Sequence, residues 1–256
     1  DLLGRMTLQE KIGQIALVEK NSIRYKEDIT RYGLGALLSG GGAKPDPNTA
    51  AEWLKMANDF QMYSQKTRLQ IPLLYGVDAI HGHAGVPGAT VFPHQIGLAA
   101  TRDNKLVKKI YQATAEEMMA TGIYWNFTPS LDIANDLRWG RVYETFGQDA
   151  KTVEMLGQAA IEGLQQSSSP DMITVLATAK HYVGTGAMVW GTSSNENFEI
   201  DQGDTQVTEQ ELRRVHLPAF KKAVDSGVMS VMVGLNSWNN QKLSANKYLL
   251  TDVLKN

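Results

Sequence analysis

Four clusters in the sequence carry residue types that can hold or transform a ligand. The first is Gly76-Val77-Asp78-Ala79-Ile80-His81-Gly82-His83. A carboxylate such as Asp78 accepts hydrogen bonds from hydroxyl groups or ligates a metal. The i, i+2 spacing of His81 and His83 points two imidazoles to one side of an extended chain. The second cluster is Asn135-Asp136-Leu137-Arg138-Trp139-Gly140-Arg141-Val142-Tyr143-Glu144-Thr145-Phe146-Gly147. One of its two arginines is expected to pair with Glu144 and hold the loop. The other offers a ligand the rigid donor fork of a guanidinium. The third is Lys180-His181-Tyr182-Val183-Gly184. Adjacent strand residues point to opposite faces, so both Lys180 and His181 reach one pocket only from an irregular backbone. The fourth, Gly234-Leu235-Asn236-Ser237-Trp238-Asn239, holds a tryptophan that either stacks on a pyranose face or packs its own loop.

Each cluster alone has a plain structural explanation. Asp78 caps a loop, His81 binds a backbone group, an arginine pairs with Glu144, and Lys180 faces water while His181 sits in the core. Together they describe a pocket for a neutral, hydroxyl-rich ligand, with charged groups for hydrogen bonds and an aromatic ring for stacking.

The elements that must position them alternate. Apolar runs at 12–18, 35–38, 71–77, 123–127, 173–179 and 229–233, bounded by Gly and Pro, read as strands buried on both faces. The second of them ends in the loop Ser39-Gly40-Gly41-Gly42. Helical patterns lie between. One runs from Thr49 to Arg68 with Asn48 as N-cap, and one from Asp103 to Thr121 before Gly122. Another runs from Asp149 to Gln166 before Ser167-Ser168-Ser169-Pro170, and a capping box at Thr208-Glu209-Gln210-Glu211 opens a helix to about Ser226. Strands alternating with helices predict an α/β fold with a parallel sheet. A (β/α)8 barrel takes about 250 residues, and this chain holds about six βα units because its loops are long. The stretches 78–102, 129–149 and 182–207 follow strands and show no clear helix. Loops after strands lie on the face where such folds place their sites.

Composition narrows the function classes. The 256 residues carry 25 Lys+Arg against 27 Asp+Glu, a formal net charge of −2, which gives no footprint for nucleic acid or an anionic membrane. There is no Cys, which excludes disulfides, zinc–thiolate sites and a thiol nucleophile. No apolar run reaches the roughly 18 residues of a membrane span, and Asp1-Leu2-Leu3-Gly4-Arg5 does not begin a signal peptide. No phosphate loop and no G-x-G-x-x-G follows the first strand, so nucleotide binding has no support.

An ordered set of motifs resembles glycoside hydrolase family 3, the family of β-glucosidases and exo-acting β-glucan glucohydrolases. It runs from Met6-Thr7-Leu8-Gln9-Glu10-Lys11-Ile12-Gly13-Gln14 through Ile71-Pro72, Gly76-Val77-Asp78-Ala79-Ile80-His81-Gly82 and Gly88-Ala89-Thr90-Val91-Phe92-Pro93-His94. It continues with Ala99-Ala100-Thr101-Arg102-Asp103, Arg138-Trp139-Gly140-Arg141 and Lys180-His181-Tyr182-Val183-Gly184. The resemblance implies a (β/α)8 TIM-barrel-like domain. It also implies exo-acting, retaining hydrolysis of terminal non-reducing β-D-glucosyl residues from β-glucosides or β-glucans, with no cofactor. Asp78, Arg141, Lys180 and His181 match the positions that bind the terminal sugar in the family.

The pattern also departs from the family. The family's nucleophilic Asp stands in a stretch like G-F-x-x-S-D on the next strand, whereas this sequence stops at Leu254-Lys255-Asn256. The resemblance therefore implies that residues 1–256 are the N-terminal part of the barrel domain, without its remainder, the nucleophile or the second domain that brings the acid/base in glucosidases. It further implies that the parent protein supplies those segments. Thr185 stands where the N-acetylglucosaminidase branch has an acid/base His, and Leu235 stands where exo-glucanases carry an aromatic residue. The usual setting of the family is periplasmic or extracellular. Two other readings stay open. One is a catalytically silent sugar-binding domain. The other is a metal-dependent amidohydrolase-type barrel using His81 and His83 with Lys180 and His181.

Overall fold

The computed structural model describes residues 1–40, 42–166 and 174–255. In chain order the strands are β1 (Leu17–Glu19), β2 (Ala36–Ser39), β3 (Leu74–Val77), β4 (Trp125–Asn126), β5 (Leu176–Tyr182), β6 (Asp204–Thr205), β7 (Ser230–Val233), β8 (Ser237–Trp238) and β9 (Gln241–Lys242). The helices are α1 (Leu2–Arg5), α2 (Leu8–Gln14), α3 (Glu27–Tyr32), α4 (Ala50–Ser64), α5 (Gln95–Thr101), α6 (Asn104–Ala120), α7 (Ala150–Gln165), α8 (Glu209–Glu211) and α9 (Leu217–Asp225).

Strands β1, β2, β3, β4, β5 and β7 pair in that order, all parallel, into a sheet of six that curls as an incomplete (β/α) barrel. Among the described residues β1 and β7 do not pair with each other, so the sheet has two edges. A small second sheet, β6-β8-β9, closes the loops after β5 and β7. The helices cover the outer face. Apolar stripes of α6 (Val107, Ile110, Met118) and α7 (Val153, Leu156, Ile161, Leu164) meet in one core with Ile123 and Val175.

Local sequence explains most boundaries. Thr49, Asp103, Asp149 and Thr208 each accept a backbone N–H three residues on, capping α4, α6, α7 and α8. Asn48, expected as the cap of α4, bonds the Trp53 indole and the Gly85 carbonyl instead. From α8 to α9 the helix passes through a π-helical turn, Leu212–His216. The expected strand over 12–18 is corrected: Thr7 and Glu10 form a reciprocal capping box that starts α2, and only Leu17–Glu19 is extended. Residues 95–101, expected as loop, form α5. Ile173, the Ser167-Ser168-Ser169-Pro170 break, Gly41 and Asn256 lie outside the described residues.

Candidate functional site

Asp78 is the first residue beyond β3. Its place is set by two contacts. Asn126, at the end of β4, accepts from the Ala79 N–H and donates to the Ala79 carbonyl, both at 3.0 Å. Gly76 lets the strand approach Phe127, because a Cβ there would lie 2.3 Å from the ring. Lys180 enters from β5. Its side chain is 3 % exposed, and Nζ donates to Asp78 Oδ1 at 2.9 Å, while the Asp78 side chain stays 51 % exposed. The buried cation thus has a partner, and one side of that partner remains open to the cavity.

His181 follows directly. The register of β5 against β7 shifts between Lys180 and Tyr182, and the Lys180–His181 peptide bond is cis. The shift supplies the irregular backbone that two neighbours need to reach one pocket. Beneath His181 lies Asp132, fully buried in the loop after β4. Its Oδ2 accepts from His181 Nδ1 at 2.7 Å and from the Ser130 hydroxyl at 2.9 Å. The tautomer follows from that contact, with the proton on Nδ1 facing a carboxylate and Nε2 left for the cavity. Burial acts to raise the Asp132 carboxyl. The charge and hydrogen bond of His181, the Ser130 hydroxyl and the charge of Arg141 outweigh it and hold the carboxyl below its ordinary range.

Arg141 opens the helical turn Val142–Glu144. Its Nε and Nη2 each reach a Glu144 oxygen at 2.7 Å, a bidentate pair. Burial disfavours the charge on both. For Glu144 the Arg141 bonds, with the charges of Arg141, Lys180 and His181, bring the net shift downward. For Arg141 the Glu144 contact brings the net shift upward. The pairing with Glu144 expected of one arginine falls to Arg141, the same residue that lines the cavity, while Arg138 binds Asp136 and lies over Trp190.

Asp78, Arg141, Lys180 and His181 therefore line one cavity of about 390 Å³, within the size range of small-molecule sites. Sequence reasoning passed over three residues here. Asp132 was legible as the lone carboxylate in the apolar run Leu131-Asp132-Ile133-Ala134, just past β4. Asp201 and Gln202 also line the cavity, but nothing local marks them, because only the fold of the long loop 183–203 brings them there.

Other expectations resolve differently. Trp238 packs its loop, donating from Nε1 to the Val207 carbonyl at 2.9 Å. His81 and His83 are committed to different neighbours. His81 Nδ1 lies 3.0 Å from the Phe92 carbonyl. The buried His83 has Nε2 3.0 Å from the Thr121 hydroxyl and its ring edge-on to Trp53. Among the described residues no three His, Cys, Asp or Glu side chains converge as a metal site, so the paired-imidazole reading has no geometric support. Burial pushes the His83 imidazole down to about 4. No described helix is long and apolar enough to cross a membrane.

The chain is similar in sequence and fold to known glycosidases. The periplasmic beta-glucosidase of Salmonella typhimurium is 31 % identical over 257 residues, covering 100 % of this chain and 31 % of that protein. The crystal structure of an exo-1,3/1,4-beta-glucanase (ExoP) from a Pseudoalteromonas species is 39 % identical with a TM-score of 0.90, covering 100 % of this chain and 32 % of that one. The beta-glucosidase of Listeria innocua, solved in complex with glucose, is 28 % identical with a TM-score of 0.79, covering 99 % of this chain and 34 % of that one. The chain thus spans about a third of the length of these relatives. The family model described as "Glycosyl hydrolase family 3 N terminal domain" matches residues 7–256. With the motif order, the parallel barrel sheet and that match in agreement, this chain belongs to glycosyl hydrolase family 3.

Proposed function

We propose that the protein is a β-glucosidase or exo-β-glucanase that removes terminal non-reducing β-D-glucosyl units, and that residues 1–256 form the N-terminal part of its barrel. One observation carries the reading: Asp78, Arg141, Lys180 and His181, from the ends of three neighbouring strands and their loops, line a single cavity. A neutral sugar is bound through hydroxyls, and this set offers both signs of partner. Asp78 accepts, with Lys180 fixing its orientation. Lys180 and Arg141 donate. His181 presents Nε2, held in place through Nδ1 by Asp132.

The chemistry needs more than binding. A retaining glycosidase uses two carboxyl groups about 5–5.5 Å apart, one attacking the anomeric carbon and one protonating the leaving oxygen. Asp78 is tied to Lys180 and Glu144 to Arg141. Such ion-paired carboxylates suit positioning better than attack, so the reading assigns nucleophile and acid/base to segments beyond this stretch. Those segments would also cover the edges at β1 and β7. The similarity to a periplasmic enzyme supports a periplasmic or extracellular setting.

The test is hydrolysis of p-nitrophenyl β-D-glucoside by the intact protein, with the anomer of the released glucose followed by NMR. Release of β-glucose is expected. Glucose binding with no turnover would instead identify a catalytically silent sugar-binding protein, and release of α-glucose would overturn the retaining mechanism.

A further inference from the structure

Three stretches far apart in sequence line the cavity and are joined by a single amide. Thr185 comes from the loop after β5, Asp201 and Gln202 from the end of that loop before β6, and Leu235 and Asn236 from the turn between β7 and β8. Asn236 is 1 % exposed. Its Oδ1 accepts from the Thr185 hydroxyl at 2.9 Å. Its Nδ2 donates to the Thr205 hydroxyl at 2.9 Å and lies 3.3 Å from the Ser237 carbonyl. Thr205 belongs to β6, the strand that follows Gln202. The small sheet under these loops gives them little support, since β6 and β8 are two residues each.

The bond directions leave one arrangement. The Thr205 hydroxyl gives its proton to the Gly184 carbonyl at 2.9 Å, so toward Asn236 it accepts. The nitrogen end of the amide therefore faces acceptors. Its oxygen end faces the Thr185 hydroxyl, which also lies 3.3 Å from the His181 carbonyl. Only an amide of this size is donor at one end and acceptor at the other. A carboxylate would set oxygen against oxygen, and an aliphatic side chain would leave both buried hydroxyls without a partner. The neighbouring backbone is shaped to admit the clamp. A Cβ on Gly234 would lie 2.2 Å from Asn236 Oδ1 and 2.5 Å from Thr185 Oγ1, so only glycine leaves it room.

We propose that Asn236 is a positioning residue for sugar binding: its amide clamps the loops after β5 and β7 to β6 and holds Thr185, Asp201, Gln202 and Leu235 in their binding arrangement. The proposal rests on the reading of the cavity as the glucosyl site. Apparent affinity scales with the fraction of molecules whose binding groups are in place. A loosened clamp therefore shows itself in affinity, beyond any cost to stability.

The experiment is calorimetric titration of glucose into the intact protein, with thermal unfolding of each variant. The variants are Asn236→Ala, Thr185→Val, Thr185→Ser, the double variant Asn236→Ala/Thr185→Val, and Leu37→Ala as a control that costs stability away from the cavity. Asn236→Ala is expected to weaken glucose about tenfold and Thr185→Val about fivefold, while Thr185→Ser, which keeps the hydroxyl, stays within about twofold of wild type. The double variant should bind about as weakly as Asn236→Ala, because the two residues share one bond. Leu37→Ala should lose stability and keep its affinity. Unchanged affinity in Asn236→Ala would overturn the proposal. So would Thr185→Ser binding as weakly as Thr185→Val, or Leu37→Ala losing as much affinity as Asn236→Ala. Losses that multiply in the double variant would mean that each residue touches the sugar on its own, which also overturns it. Should Asn236→Ala fail to fold, the contrast between Thr185→Val and Thr185→Ser decides. A wild type that does not bind glucose would overturn the glucosyl reading itself, and the clamp's part in sugar binding with it.

Discussion

The middle of the sheet and its two edges are built differently. Between β2 and β5 every strand is paired on both sides, and β5 is buried from Ala177 to Tyr182. Here the side chains are locked: Leu37 is 0 % exposed, and Asp132, Ser130 and His181 form a closed hydrogen-bonded set. At the β1 edge, Leu8, Ile12 and Ile15 face outward, with Ile15 85 % exposed, and at the β7 edge Met229 and Val224 do the same. The difference teaches where precision is needed. Sugar-binding groups must be held to a fraction of an ångström, and the candidate site is rooted in the fully paired strands. Exposed apolar residues lie beside both edges, and there the proposed remainder of the barrel would pack.

The sharpest way to break this contrast is Asp132→Ala. It leaves the His181 backbone N–H, its Nδ1–H and the Ser130 hydroxyl buried without their acceptor, and a loss of about 3–5 kcal/mol is expected in chemical denaturation. A loss under about 1 kcal/mol would mean that the set is not closed. Next comes Leu37→Ala in β2, with an expected cost of about 2–5 kcal/mol from lost burial and the cavity left behind.

Acid provides a third test. His83 titrates at about 4 in the folded protein, below its unfolded value near 6.5. Between those values the unfolded chain binds a proton that the folded chain refuses. Stability is therefore intact above about pH 6.5 and falls as the pH drops toward 4, by up to roughly 3 kcal/mol from this group. His83→Gln should flatten that part of the stability–pH curve, and an unchanged slope would show that His83 is not the group responsible. Asp132 and Glu144, both held low, add their loss at more acid pH still.

The smallest effect is expected at the edge. Ile15→Ala should change the stability of the 1–256 chain by less than about 0.5 kcal/mol. In the intact protein, a cost several times larger would show that another segment covers this edge, and an equally small one would show that none does.

Much of the frame was legible because it rests on local signals. Caps at Asp103, Asp149 and Thr208 and apolar runs bounded by Gly and Pro placed the long helices and most strands. The first strand was misread because Ile12, Ile15 and Val18 look like buried apolar residues, whereas the Thr7–Glu10 box turns the segment into a helix whose apolar side lies open at an edge. Asp78, Arg141, Lys180 and His181 were legible from motif order. How Lys180 and His181 share a cavity was not, since the register shift in β5 comes from tertiary pairing with β7. The same holds for Asp201 and Gln202, which long-range folding alone delivers.

The most direct test is a calorimetric titration of glucose into the intact protein and into Asp78→Ala. Asp78 is the half-open carboxylate of the cavity, so wild type should bind glucose and Asp78→Ala should lose at least about 2 kcal/mol of affinity, roughly thirtyfold. Unchanged glucose affinity in Asp78→Ala would contradict a sugar site built around this residue.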